Sequence, residues 1–254
     1  MQRAEREIEL HKNIYKDYIE RKQNKVCSLV DEYWHSEIFA TARKHAEKKE
    51  IRFLDLGAGT CLFFELFKNN PDISYTGVDV SEPMLEYAKS IYGNYPNFCA
   101  YQKNLDGSYL IEEAYDLYAM RSLVHHLENK EVFLESMFSK IPKGSLVVIS
   151  EPNRNIITHV LREMLKKVKK GHFDDDHVDL KPEFFLDQFK KNKVELVELK
   201  YFGYFSYPFS FPYILKLPTT APLVRFFIFL DRIITKIPIV RKLSWHVIYL
   251  VRKI

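Results

Sequence analysis

The chain has 254 residues, 46% hydrophobic and 28% charged, with a formal net charge of +4. That length can bury a large core, and the balance is that of a folded domain rather than a disordered or collagen-like chain. No uncharged apolar run reaches about eighteen residues, so no membrane-spanning helix is expected, and the charged start MQRAEREIELHK lacks the apolar centre of a signal peptide, which makes the cytoplasm the expected location.

Apolar and aromatic positions recur at helical spacing in IELHKNIYKDYIERK and VCSLVDEYWHSEIFATARKHAEKK, so two helices are expected to cap the fold over residues 1–49. Strands are expected near 51–56, 74–80, 97–103, 115–120 and 145–150. Helices are expected near 61–69, 82–92, 129–140, 154–168 and 181–191. Ser81 stands at an N-cap position, with Pro83 in the first turn that follows. Such alternation implies crossover connections and a parallel sheet with helices on both faces. After Lys191, KVELVELKYF (193–202) and SWHVIYLVRK (244–253) read as two further strands. An insert at about 203–241 separates them. Eight aromatics fall within residues 201–213, and PLVRFFIFLDRIITKIP follows as an apolar helix with Arg225, Arg232 and Lys236 on one narrow face, ended by Pro238. Residues 190–254 carry twelve lysines and arginines against three acids, a balance of +9. Such a region suits an anionic partner, or is a solvated face.

The stretch FLDLGAGTCLF at 53–63 carries the chemistry. An apolar run ends in Asp55, passes Gly57 and Gly59, and becomes apolar again, as a strand, a tight turn and a helix start would. Gly57 and Gly59 let backbone approach a ligand and bend sharply. Free N–H groups of the following helix would suit an anionic group. Asp79 closes YTGVDVS (75–81), 22 residues after Gly57, near the offset of about 20 for a carboxylate that reads ribose hydroxyls in a doubly wound α/β domain. A nicotinamide dinucleotide is one reading, weakened by Leu62 at the last fingerprint position.

Five segments together resemble the class I S-adenosylmethionine-dependent methyltransferases over roughly residues 50–153. They are DLGAGT (55–60), VDVS (78–81), NLDG (104–107), AYDLYAMRSLVHHL (114–127) and IPKGSLVVISEPN (141–153). The resemblance implies one methyltransferase domain over residues 1–254. Its sheet would be a seven-stranded Rossmann-like, doubly wound α/β sheet in the order 3-2-1-4-5-7-6 with the last strand antiparallel. Residues 50–153 would form the cofactor core, and 154–254 the half that carries the acceptor-side insert. It implies S-adenosylmethionine as cofactor and S-adenosylhomocysteine as product. The implied cofactor residues are Asp55, Gly57, Ala58, Gly59, Thr60, Asp79, Val80, Met84, Asn104, Leu105, Met120 and Arg121. Asp55 would meet the methionine ammonium, Asp79 the ribose, Asn104 the adenine amine, and Met84 with Leu105 the adenine faces. Cys61 replaces the usual third glycine, Asn104 a more usual Asp, and Ser145 the second glycine of the fifth-strand turn.

Transfer to an oxygen acceptor needs a proton removed, and His126 and His177 are the candidate catalytic residues, with His125 beside them. Tyr15 and Tyr18 could close over the cofactor, their aromatic faces favourable to a sulfonium. No metal is expected. Asp174-Asp175-Asp176 reads as an acidic loop, and Cys27, Cys61 and Cys99 lack ligand spacing and read as reduced thiols. The Asn/Asp-Pro-Pro-aromatic signature of DNA amine methyltransferases is missing from MRSLVHH, so no nucleic-acid partner is expected. The aromatic insert suits a small-molecule or lipid-linked acceptor, methylated at oxygen or carbon, and peripheral membrane contact through its basic, amphipathic helix. Oligomerisation is left open. A non-catalytic protein of the same fold, acting in assembly or membrane recruitment, is the alternative to an enzyme.

Overall fold

A computed structural model of the chain describes residues 19, 23–109, 111–156, 158–160, 180–210 and 220–254. Five α-helices and seven strands are defined among them. In chain order they are α1 (Lys25–Arg43), β1 (Ile51–Leu56), β2 (Ile73–Asp79), α2 (Glu82–Tyr92), β3 (Phe98–Gln102), β4 (Leu117–Arg121), α3 (Lys130–Lys140), β5 (Leu146–Pro152), α4 (Pro182–Lys191), β6 (Val194–Phe202), α5 (Ala221–Ile234) and β7 (His246–Lys253). The seven strands form one sheet in the order β3-β2-β1-β4-β5-β7-β6. All pairs are parallel except those of β7, which runs antiparallel to β5 and β6. This is the Rossmann-like topology expected from the resemblance.

Apolar content dictates the layering. β1, β2, β4 and β5 are buried nearly end to end, as strands covered on both faces must be. One face packs α1, α2 and α5 over Phe53, Tyr75, Leu117 and Val148. The other packs α3 and α4 over Leu54, Leu56, Met120 and Ile149. β6, at the sheet edge, is buried only at its ends, Val194 and Phe202, carries a register shift between Leu196 and Glu198, and its charges blunt the edge. Helix α1 begins at Asn24, whose side chain accepts from the backbone N–H groups of Val26 (2.9 Å) and Cys27 (3.3 Å). It is buried on both sides, because the insert between β6 and β7 folds back over it. Phe209, Val224 and Ile228 of the insert join Val30, Trp34 and Ile38 of α1 in one core.

Two local expectations change. The helix expected at 61–69 is a single 3₁₀ turn, Leu62–Leu66. Phe63 and Phe64 within it, and Phe67 just past its end, enter the core at 2%, 0% and 1% exposure. Ser81 occupies the N-cap of α2, but its hydroxyl makes no capping bond. Of the helix expected at 154–168, only residues to 156 and 158–160 are described. The first N-terminal helix, with Tyr15 and Tyr18, lies outside the described residues, as do Asp174, Asp175, Asp176 and His177.

Candidate functional site

The crevice lies at the C-terminal ends of β1, β2 and β4. Past β1, Gly57 (φ +73°) and Gly59 (φ +52°) take left-handed conformations that fold the loop back onto β2. The N–H groups of Gly57 and Ala58 donate to the Val78 carbonyl at 2.8 and 3.0 Å, and that of Cys61 to the Ala58 carbonyl at 2.8 Å. These three loop amides are thus satisfied within the protein. Asp79 shares in this closure. Its carboxylate accepts from Gly59 N (2.7 Å) and Ser81 N (2.8 Å), with lone pairs left for further donors. A Cβ on Gly57 would meet Leu123 at 3.0 Å, and one on Gly59 would meet Met84 Sδ at 3.6 Å, so both glycines lie under side chains that wall the crevice.

Cys61 continues the left-handed run at φ +55°, where the usual third glycine would be at ease, and its side chain is fully buried. Gly77 on β2 makes the room: a Cβ there would stand 2.7 Å from Cys61 Sγ. The missing glycine of the loop is thus matched by a glycine in the neighbouring strand.

Asp55 is 3% exposed and accepts a hydrogen bond from the Tyr75 hydroxyl at 2.7 Å. Burial pushes its carboxyl up to about 7; the nearby Asp79 charge acts the same way, against the Tyr75 bond and the Arg121 charge. A cation placed against it would draw it to the ionised form. Beside Asp79, the buried Ser81 hydroxyl has no hydrogen-bond partner. An orphaned hydroxyl, a carboxylate with spare lone pairs and a side-chain-free loop under Met84 fit the polar edge and flat body of an adenosyl group.

Past β4 the chain turns sharply, with Ser122 at φ +53°. Glu151 of β5, 1% exposed, holds this turn. It accepts from Leu123 N (3.0 Å) and Val124 N (2.8 Å), and its other oxygen lies 2.5 Å from His125 Nδ1. Burial pushes the Glu151 carboxyl up to about 7, against the backbone donors that favour its charge. His125 is therefore the anchored histidine, and His126 is the half-buried one, its ring 4.1 Å from that of His125.

Beneath α1 lies a second group of polar side chains. Arg121, at the end of β4, donates to His35 Nε2 (2.7 Å) and pairs with Asp31 (3.2 Å), while its guanidinium lies 5.3 Å from the Trp34 ring. A guanidinium can only donate, so His35 carries its own hydrogen on Nδ1. The His35 ring contacts Phe63 of the 3₁₀ turn at 4.3 Å, which joins this cluster to the glycine loop. At the start of β7, His246 is 2% exposed; its Nδ1 lies 3.4 Å from Ser150 Oγ and its ring 4.6 Å from Trp34.

The structure brings Asp55, Gly57, Ala58, Gly59, Thr60, Asp79, Val80, Met84 and Arg121 to one end of the sheet. Leu105 is buried after β3, while the exposed Asn104 turns its side-chain oxygen to Asp106 N at 2.9 Å. Met120 packs into the apolar layer under α3 and α4. No group of three metal-ligating side chains occurs among the described residues. Sequence reasoning missed Asp31, Trp34, His35, Glu151 and His246. The one sequence signal was the polar and aromatic run Asp31, Trp34, His35 on an otherwise buried helix face.

Residues 47–195 match a family model described as a methyltransferase domain. No curated protein matches the chain significantly. Among solved structures, a SAM-dependent methyltransferase from Thermotoga maritima, described as a possible histamine N-methyltransferase, is 17% identical, with TM-score 0.61, 97% of this chain and 99% of that chain covered. Coclaurine N-methyltransferase bound to N-methylheliamine and SAH is 14% identical, with TM-score 0.57 and coverage of 86% and 72%. The [4+2]-cyclase SpnF is 14% identical, with TM-score 0.59 and coverage of 86% and 80%.

Proposed function

The chain belongs to the methyltransferase-domain family and has the class I SAM-dependent fold, and from that premise we propose that it transfers a methyl group to a small-molecule or lipid-linked acceptor at oxygen or carbon. S-adenosylmethionine supplies an electrophilic methyl group on a sulfonium when bound. Asp55 would hold the methionine ammonium, and Asp79 with the Ser81 hydroxyl the ribose. Met84 and Leu105 would hold the adenine, with Asn104 at its edge. The nicotinamide alternative draws no support from the family match.

The observation that carries the acceptor reading is the buried Asp31–Arg121–His35 cluster against Phe63, with Ser150 and His246 at the neighbouring strand ends. Its guanidinium lies 5.3 Å from the Trp34 ring, which stacks on that of Tyr207 at 5.1 Å, so a polar floor adjoins aromatic faces. Such a floor suits an acceptor with a hydroxyl or enolate in an otherwise apolar body. Nε2 of His35 already accepts from Arg121, which leaves His126 and His246 as the imidazoles that can take the proton an oxygen or carbon acceptor must lose. His126 is the proposed general base because it is the half-buried member of the turn that Glu151 holds. His177 remains a second candidate on sequence alone. A neighbour of the same fold is named as a cyclase, so cofactor binding and turnover are tested separately.

The test pairs calorimetry with product analysis. S-adenosylhomocysteine is titrated against the protein, and labelled S-adenosylmethionine is then incubated with fractionated small-molecule and lipid extracts. The expected result is S-adenosylhomocysteine binding and label in an organic-soluble product. Binding with no labelled product from any fraction overturns the enzyme reading in favour of the non-catalytic one; no binding overturns the cofactor site itself.

A further inference from the structure

Helix α5 turns its apolar side outward. Its rotation is fixed from within: the fully buried Asp231 accepts from Phe205 N (2.7 Å), Ser206 N (3.2 Å) and Ser206 Oγ (2.5 Å). Val224 and Ile228 enter the core on the same side, and Arg232 lies 3.5 Å from Glu37 of α1. With that side committed, Leu223, Phe226, Phe229 and Ile233 recur three or four residues apart on the opposite side, and Ile237 follows just past the helix, all between 38% and 57% exposed. Ile239 extends the stripe beyond the helix at 87% exposure. Two phenylalanines and three or more aliphatic side chains on one face exceed the scattered exposure that a soluble surface carries.

Charge selects the occupant. From residue 203 to 245 the chain carries six lysines and arginines and a single acid, Asp231, which is buried. Arg225 and Lys236 flank the stripe, and Arg241 and Lys242 follow it, all exposed. A second copy meeting this face would bring the same cations together around a two-fold axis, which is unfavourable. No described helix is long and apolar enough to cross a membrane. We propose that this face docks on an anionic lipid bilayer. In that arrangement α5 lies in the interface plane, the phenylalanine stripe enters the acyl boundary, and Arg225, Lys236, Arg241 and Lys242 meet phosphate headgroups. The proposal rests on the surface of the insert and is independent of the acceptor reading above.

The full-length chain is sedimented with vesicles of equal parts phosphatidylglycerol and phosphatidylcholine, and with phosphatidylcholine vesicles alone. The expected result is binding to the anionic vesicles at least about tenfold tighter than to the neutral ones, weakened by added salt. Phe226→Ser/Phe229→Ser and, separately, Arg225→Glu/Lys236→Glu should each lower the anionic-vesicle affinity at least about tenfold while thermal unfolding stays unchanged, because all four side chains point to solvent. Equal binding to both vesicle types, or unchanged binding in both variants, overturns the proposal. So does a concentration-dependent dimer that Phe226→Ser/Phe229→Ser abolishes, since a second copy would then cover the face.

Discussion

Replacing Gly77 by alanine tests how the glycine loop is held against β2. The new Cβ would lie 2.7 Å from Cys61 Sγ, and 3.2 Å from both Ala58 Cβ and Tyr75 Cε1. The first contact is roughly 1 Å inside the optimal separation of non-bonded atoms, and a buried cysteine has no long side chain to swing away. The loop must therefore shift. Overpacking of this kind costs about 1–3 kcal/mol, which for a chain of this length lowers Tm by about 2–4 °C per kcal/mol. Because the displaced residues are Ala58 and Cys61, S-adenosylhomocysteine affinity should fall as well, by about tenfold for a displacement that costs ~1.4 kcal/mol of binding.

The same geometry predicts a rescue. Cys61→Gly removes the sulfur and puts glycine at φ +55°, relieving about 1–2 kcal/mol of left-handed strain while losing a comparable amount of buried contact. Alone it should be near neutral. Combined with Gly77→Ala, the alanine methyl occupies the space the thiol left, and stability and affinity should both return towards wild type. The expected coupling is at least about 1 kcal/mol in favour of the double variant. Scanning calorimetry and titration calorimetry on the four proteins give the full cycle. A Gly77→Ala protein as stable as wild type, or a double variant no better than Gly77→Ala, refutes the reasoning.

Four further outcomes follow from the site. Asp79→Ala should weaken S-adenosylhomocysteine by about 1.5–3 kcal/mol, and lower Tm because Gly59 N and Ser81 N lose their acceptor; unchanged affinity in calorimetry removes the ribose role. Glu151→Ala removes the acceptor of the Leu123 and Val124 N–H groups, and should cost about 2–4 kcal/mol in a urea titration. Asp55 is raised to about 7, so the folded chain keeps a proton between pH about 4 and 7 that the unfolded chain releases; its contribution is full below about 4 and lost as pH rises through 7. The urea midpoint of wild type should then fall more steeply from pH 5.5 to 8 than that of Asp55→Asn, and equal slopes would reject the shift. Finally, the combined Asp31→Leu/His35→Leu/Arg121→Met variant should keep its Tm within a few degrees yet lose methyl transfer on whatever acceptor the extract assay yields; full turnover would remove the cluster from the acceptor site.

Much of this architecture is written in short, local signals. The apolar runs that become β1, β2, β4 and β5 are continuous because both their faces are covered, and the Gly57–Gly59 spacing marks the left-handed turn without help from distant residues. What the sequence concealed was set by tertiary partners. His125 and His126 are neighbours of identical type, and only the position of Glu151 on β5 decides which is anchored. Ser81 has the residue type of a cap, yet its amide is taken by Asp79 and its buried hydroxyl makes no hydrogen bond. Asp31 and His35 lie 90 and 86 residues from Arg121, so their meeting follows from α1 being pressed onto the sheet by the insert rather than from any motif.

The burial of that charged cluster argues for its use. The Asp31 and Arg121 side chains are 6% and 18% exposed, and an ion pair so placed gains about as much from attraction as it loses in desolvation, so packing alone gives no reason to prefer it to three apolar side chains. The apolar layer on this face of the sheet shows what packing alone selects: it holds Val30, Ile38, Phe53, Phe63 and Phe202, and Phe63 touches His35. α1 carries the cluster on the side facing the strand ends, and on another side it holds Glu37 for Lys200 (2.6 Å) and Arg232 (3.5 Å). One helix is therefore wall to both the polar floor and the outward-facing α5.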